Sequence, residues 1–300
     1  MMAAAGMGGA SGAAAGTGAA GSSAGTGGTA PMGDCGPMAW KCRGPMPTMQ
    51  GSMGTAKGPY QTMSYTSGFR NGPDFAGATI YYPTGDAEPP FGCVTVVPGF
   101  TAYQSSIRQW GPFLASHGII TMTIDTNTTS DPPATRARAL MDALMSCTGE
   151  NDRMGSPING KIAKDRLGVS GWSMGGGGTL IASAMNPTLR AGVSFAAWGP
   201  SGGSNNKVPV LMFEATADPL AASMSDGFYA QTPESTPKML FEVQGSSHNV
   251  ANSPTNHMGI IGLYGLSWWK VFLEGDERYK PFLLAPKPSI TTSKFKHNLK

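Results

Sequence analysis

A serine set between glycines, where a strand meets a helix, constrains this chain more than any other feature. Residues 167–172 (Leu-Gly-Val-Ser-Gly-Trp) read as a strand, and a small-residue helix continues to Met185. Between them stands Gly171-Trp172-Ser173-Met174-Gly175, a match to G-x-S-x-G, with glycine prolonged to Gly178. The turn must be sharp. A side chain at Gly171 or Gly175 would crowd it, and its shape lifts the Ser173 oxygen above a sheet edge. A phosphate cradle is the rival reading of such a junction. No Walker lysine follows, and 175–178 form no G-x-G-x-x-G with a downstream ribose-binding acid. The pattern points to a nucleophilic serine.

The rest of the chain supplies the sheet. Strand-like segments at 62–69, 78–82, 93–97, 119–124, 191–196, 208–213 and 239–243 alternate with helix-like ones at 105–116, 133–147, 221–229 and 260–273. In 105–116, Ile107, Trp110, Phe113 and Leu114 recur at helical spacing. This alternation predicts an α/β fold with a mainly parallel central sheet and helices on both faces. Right-handed crossovers then bring the C-terminal strand ends to one edge, where an open α/β sheet carries its site.

Composition sets the boundary of the folded part. Met1 to Ala30 contain only Met, Ala, Gly, Ser and Thr, which cannot bury enough apolar surface to offset ordering. Residues 1–55 therefore read as a disordered Gly/Ala-rich tail or linker, and 56–300 as one domain. The tail reads either as a spacer from a lipid-anchored or secreted precursor or as a remnant without a role. It shows no basic n-region or Leu-rich h-region of a signal peptide. No apolar run is long enough to span a membrane. Lys plus Arg is 21 and Asp plus Glu 18, a net of +3 with no basic stripe, which argues against nucleic-acid binding. The basic tail Lys294, Lys296 and Lys300 reads as solvated.

A serine hydroxyl needs a base, and the base an orienting acid; in this fold class they follow in the order Ser, acid, His. Of four histidines, His117 precedes the serine and reads as a helix C-cap, and His297 lies in the frayed tail. His248 sits in a small-residue loop just after strand 239–243 and is preferred to His257, which reads as a surface or capping residue. Asp218 follows strand 208–213 and is preferred as the acid to Glu214, still in the strand, and Asp226, too far into the next helix. The oxyanion needs two N–H donors. Met174 follows the nucleophile, and Phe100 lies in the loop after strand 93–97. The cysteines leave alternatives open. Cys35 and Cys42 can close a small loop. Cys93 and Cys147 are a geometrically possible bridge if the helix returns antiparallel to the strand, or else two buried thiols. No metal-ligand cluster stands out, and the chemistry needs neither metal nor cofactor.

Three stretches carry a family resemblance: Pro98-Gly99-Phe100-Thr101-Ala102 through Gln104-Ser105-Ser106, Thr123-Ile124-Asp125-Thr126-Asn127, and the Gly-Trp-Ser-Met-Gly-Gly-Gly-Gly run at 171–178. With Trp198, Asp218 and Gly-Ser-Ser-His-Asn-Val-Ala-Asn at 245–252, the chain resembles the bacterial cutinases and poly(ethylene terephthalate) hydrolases of the α/β-hydrolase fold. The resemblance implies secretion, a disulfide-permissive compartment, no lid and a shallow cleft. It implies that Trp198 and Phe100 flank the substrate's ring or acyl group. Thr101, Gln104, Trp172, Met174, Leu220 and Asn249 would line the groove. The chain also departs from the family. Phe100 stands where Tyr is more frequent. Ala215 and Val250 occupy the positions of a disulfide that joins the acid and histidine loops in one branch. The C-terminal disulfide of that branch is missing too. Asp226 falls near the implied aromatic clamp, where its carboxylate would disfavour an apolar polymer.

Together these readings predict a secreted, monomeric serine ester hydrolase acting on polyester and short-chain esters through an acyl-enzyme. A small-ester or lipid esterase without polymer activity is the alternative within enzymes. A catalytically idle binding module is the rival outside them, and the complete Ser, Asp, His order argues against it.

Overall fold

The computed structural model describes residues 42–199, 204–287 and 289–300. The chain divides into Met1–Pro31 and Met32–Lys300, and all described residues belong to the second unit. Along it run α1 (Met49–Ser52), β1 (Gln61–Tyr65), β2 (Phe75–Thr84), β3 (Phe91–Val97), α2 (Trp110–Ser116), β4 (Ile120–Thr126) and α3 (Pro133–Gly149). Then come β5 (Ile162–Trp172), α4 (Met174–Met185), β6 (Ala191–Phe195), β7 (Val210–Ala215), α5 (Met224–Gln231), β8 (Lys238–Val243), α6 (Ile260–Trp268) and β9 (Thr292–His297).

The strands form one sheet in the order β1-β2-β4-β3-β5-β6-β7-β8-β9. From β4 to β8 every neighbouring pair is parallel, while β1, β2 and β9 pair antiparallel at the margins. Strands β3, β7 and β8 are buried along their whole length, and their largely apolar sequences suit strands covered on both faces. Val94 and Val96 of β3 face the cluster around α2 and α6, where Trp110 stacks on Phe195 at 4.7 Å. Cys93 and Val97 face the opposite cluster, built on Leu140, Ala143 and Leu144 of α3. This is the α/β-hydrolase architecture, with no lid insertion among the described residues.

Chain order reverses beside β3. The chain passes from β3 to β4 on one side, then returns to β5 on the other. Val97, the last residue of β3, pairs in register with Gly171 of β5. The loop after β3 and the turn after β5 thus emerge side by side at a topological switch point, where such sheets bind ligands. Helix α3 returns antiparallel to β3, and the Cys93–Cys147 disulfide closes its far end onto the strand. Cys35, half of the other expected loop, lies outside the described residues.

Several expectations are corrected. Segment 105–116 is not one helix: a 3₁₀ turn covers Gln104–Ser106, and α2 starts at Trp110. Pro112 has no amide to give, so the helix must begin within the turn around it. Strand 208–213 starts at Val210 and runs on through Glu214 to Ala215, because Pro209 cannot donate to a ladder. Helix 260–273 ends as an α-helix at Trp268 and widens into a π-turn over Trp269–Leu273, where Glu274 N–H donates to Trp269 O at 3.1 Å.

Both ends of the domain differ from the sequence reading. Residues 42–55, assigned there to the tail, pack against the start of α6 and the residues after its end. Gly54 N–H donates to Gly259 O at 2.8 Å, and buried Arg43 pairs with Glu274 at 2.8 Å. The C-terminal tail is not frayed either. Thr292–His297 forms β9 along β8, with Phe295 against the core and lysines spaced along an edge strand.

Candidate active site

The backbone at Ser173 is strained by construction. Its φ of 58° and ψ of −120° lie where side-chain-bearing residues rarely sit. Ser173 N–H donates to Phe195 O at 2.9 Å, and its carbonyl accepts from Gly177 N–H at 3.0 Å and Trp198 N–H at 2.9 Å. The neighbouring β6 and the first turn of α4 thus hold the turn closed. The flanking glycines are sterically required. A Cβ at Gly171 would lie 2.4 Å from Gly175 O, and one at Gly175 would lie 2.5 Å from both Val97 O and Pro98 O.

Asp218 and His248 meet because their strands do. Ala215 at the end of β7 pairs with Val243 at the end of β8, so the two following loops leave the sheet together. His248 Nδ1 lies 2.7 Å from Asp218 Oδ2. The other carboxylate oxygen, Oδ1, accepts from Leu220 N–H at 2.8 Å and Ala221 N–H at 3.0 Å. Asp218 is buried, so this carboxylate is fixed in position and shielded. Trp172 Nε1 donates to His248 O at 2.8 Å, and the two rings lie 5.3 Å apart. The residue before Ser173 therefore carries the loop that presents His248.

The loop after β3 closes the other side. A Cβ on Gly99 would fall 2.7 Å from Ser173 Cβ, so this loop abuts the serine directly. Phe100 follows, 51% exposed. Met174 opens α4, where the first amides have no helical acceptor. Thr101 is exposed, and its hydroxyl donates to Phe100 O at 2.7 Å. Leu220 is 59% exposed, Asn249 is exposed and Trp198 half-buried.

Comparison with known proteins gives the family of the chain. The family profile described as PETase, PET hydrolase-like, matches residues 38–299. The chain belongs to the PET hydrolase-like family. It is 40% identical over 260 residues to a bis(hydroxyethyl) terephthalate hydrolase of Streptomyces coelicolor, covering 85% of this chain and 81% of that protein. It is 38% identical over 245 residues to cutinase 2 of Thermobifida cellulosilytica, covering 80% and 90% of the two chains. Cutinase cut1 of Thermobifida fusca is likewise 38% identical over 245 residues, covering 80% and 74%. This PET hydrolase-like chain is accordingly a carboxylic ester hydrolase of the cutinase type.

Gln104 turns both atoms of its amide to β4. Its Nε2 donates to Asp125 Oδ2 at 2.7 Å, its Oε1 accepts from Thr123 Oγ1 at 2.9 Å, and its own N–H donates to Asp125 Oδ1 at 2.7 Å. It staples the loop after β3 to β4. His257 is not a simple surface residue, since its Nε2 lies 3.0 Å from Ser246 Oγ and braces the His248 loop. Burial holds the His257 imidazole below its ordinary pKa. Where this chain has Ala215 and Val250 in place of a disulfide, hydrogen bonds join the two loops. Thr216 N–H donates to Val243 O at 3.2 Å, Ala217 N–H to Ser246 O at 3.0 Å, and Gly245 N–H to Thr216 Oγ1 at 2.8 Å.

Glu214 and Asp226, the rejected acids, belong to another cluster. With Glu242 they bring carboxylate oxygens within 4.8 Å of one another, a grouping that could hold a metal ion and that the sequence reading missed. Lys294 of β9 is in their midst, 2.9 Å from Glu242 Oε2, 3.6 Å from Glu214 Oε2 and hydrogen-bonded to Asp226. Burial pushes the Glu214 carboxyl up to about 7 against the pull of Ser225 N–H and Lys294. Asp226 also pairs with Lys296 at 3.2 Å. Its carboxylate is thus paired with two lysines of β9.

Proposed function

We propose that Ser173, His248 and Asp218 form the catalytic relay of a secreted, monomeric polyester and short-chain ester hydrolase. The observation that carries this reading is the Asp218–His248 contact at 2.7 Å, made through Nδ1, beside a strained serine. A proton held on Nδ1 by the carboxylate leaves Nε2 as the base. Ser173 Oγ attacks the ester carbonyl and passes its proton to His248. The N–H groups of Met174 and Phe100 receive the developing oxyanion. His248 returns the proton to the departing alcohol oxygen. Water then attacks the acyl-enzyme by the same route and releases the acid. Nothing in this sequence of steps calls for a cofactor.

The substrate reading rests on the named relatives and on the exposed apolar rim. Phe100 and Leu220 face solvent, and Trp198 hydrogen-bonds through its backbone to the carbonyl of Ser173. Thr101, Trp172, Trp198, Leu220 and Asn249 would surround an aromatic or alkyl ester, with Trp198 and Phe100 stacking on a ring. Secretion is supported by the Cys93–Cys147 disulfide, which persists in oxidising compartments. No helix among the described residues is long and apolar enough to cross a membrane.

The test compares wild type with Ser173→Ala on an amorphous poly(ethylene terephthalate) film and on p-nitrophenyl butyrate. Ser173-dependent release of aromatic acid from the film is the expected outcome. Turnover that survives Ser173→Ala removes the relay. Soluble-ester turnover without film products moves the enzyme to small esters.

A further inference from the structure

Helix α3 buries an arginine completely, and the proposed chemistry does not touch it. Arg136 is 0% exposed. Among the described residues it forms no ion pair with a carboxylate. Its acceptors are chiefly backbone carbonyls. Nε donates to Asp131 O at 2.8 Å, Nη1 to Pro98 O at 2.9 Å and Nη2 to Thr129 O at 2.8 Å, with Thr126 Oγ1 a longer contact at 3.4 Å. A buried guanidinium is costly to desolvate, and that cost without a contacting ion pair points to a use other than stability. Desolvation brings Arg136 down to about 10, partly offset by Asp131.

The acceptors lie on two loops. Pro98 starts the loop after β3; Thr129 and Asp131 lie between β4 and α3. Thr129 O also accepts Thr101 N–H at 2.9 Å. Both ends of Pro98–Thr101 are therefore tied to Thr129, the first through the Arg136 fork and the second directly. Phe100, the proposed oxyanion donor, is between the two ties. The loop has no slack on its inner side, because Gly99 already abuts Ser173. The glycine run after the serine makes room for the clamp: a Cβ at Gly178 would lie 3.0 Å from Arg136 Cβ.

We propose that Arg136 is a positioning residue that sets the oxyanion loop against Ser173 through its bond to the Pro98 carbonyl. The inference rests on the serine relay proposed above. Only a planar fork reaches three carbonyls in fixed directions. A lysine keeps the charge but cannot span them, and a glutamine removes the charge as well. Arginine therefore serves here as a template for backbone rather than as a charge partner.

The experiment uses the full chain as wild type, Arg136→Lys, Arg136→Gln and Ser173→Ala. It reads kcat and KM on p-nitrophenyl butyrate per titrated active site, the rate of fluorophosphonate labelling, and the melting midpoint. In Arg136→Lys, kcat should fall roughly tenfold to a hundredfold, the scale of a small misplacement in an active site. KM should stay within about twofold, since the loss is confined to the transition state. Labelling should slow in parallel, because the phosphoryl oxygen seeks the same donors. A purely structural role would lower the melting midpoint and leave kcat per active site unchanged, and that result overturns the proposal, as does a rise in KM alone. Should Arg136→Gln fail to fold, Arg136→Lys decides. An inactive Ser173→Ala beside an unimpaired Arg136→Lys defeats this inference alone. A Ser173→Ala that still turns over defeats the relay beneath it.

Discussion

The two edges of the parallel sheet handle buried charge in opposite ways. At the N-terminal edge, Glu274 is fully engaged: Oε2 accepts from Arg43 at 2.8 Å and Arg166 at 2.6 Å, and Oε1 accepts from Gly92 N–H at 2.8 Å. Arg278 pairs with Asp276 at 2.7 Å, and Lys270 donates to His117 O at 2.5 Å. These groups join residues 42–55, β3, β5 and the π-turn after α6. At the C-terminal edge, one carboxylate, Asp218, orients one ring beside a strained serine. Polar satisfaction distributed over many chain segments makes a strut. Directed onto a single histidine, it holds one ring in place for the proposed relay.

Substitutions at the two edges should therefore separate activity from stability. The largest effect is expected from Asp218→Asn. Asparagine keeps the shape but favours the wrong histidine tautomer, so kcat should fall about 10³-fold to 10⁴-fold with little change in melting midpoint. Equal losses of activity and stability would erase the contrast between the edges. Next comes Glu274→Gln, which leaves Arg43 and Arg166 buried without their shared carboxylate. Urea titration should show about 3–5 kcal/mol of lost stability. Turnover per folded molecule should remain close to wild type.

The last effect, comparable at its acid limit, is a pH dependence at the N-terminal edge. Burial, and then the nearby Lys270, holds the His117 imidazole down to about 3, with an ordinary value of 6.5 in the unfolded chain. The folded state therefore keeps His117 neutral while the unfolded state takes up a proton below about pH 6.5. This contribution is complete above pH 6.5 and is lost as pH falls toward 3, by at most about 1.4 kcal/mol per pH unit. His117→Phe should gain on wild type as the medium is acidified from pH 7 to pH 4. A constant difference in melting midpoint across that range would show that His117 does not carry the acid limb.

What the sequence disclosed follows the range of each interaction. Ser173, Asp218 and His248 each follow a strand, so local pattern and chain order suffice to nominate them for the proposed relay. The partners of Gln104, Thr123 and Asp125, lie on the neighbouring β4, and an amide beside a loop looks free until that strand is placed. Arg136 left no signature, since its acceptors are carbonyl oxygens that every residue carries. Strand β9 was hidden because its lysines mimic a solvated tail. The Cys93–Cys147 pairing depended on where α3 ends relative to β3, which spacing alone left open.

Lys294 gives the last strand an unusual office. Three carboxylates gathered at one place ordinarily wait on an ion from solution, and their neutrality rises and falls with its concentration. Here the cation is a side chain of β9, present at whatever concentration the chain itself enforces. Docking the strand and bringing a cation to Glu214, Asp226 and Glu242 are thus a single event. The C-terminus behaves as a counterion that cannot be dialysed away, and trimming it would open a sheet edge and unmask a nest of repelling acids together.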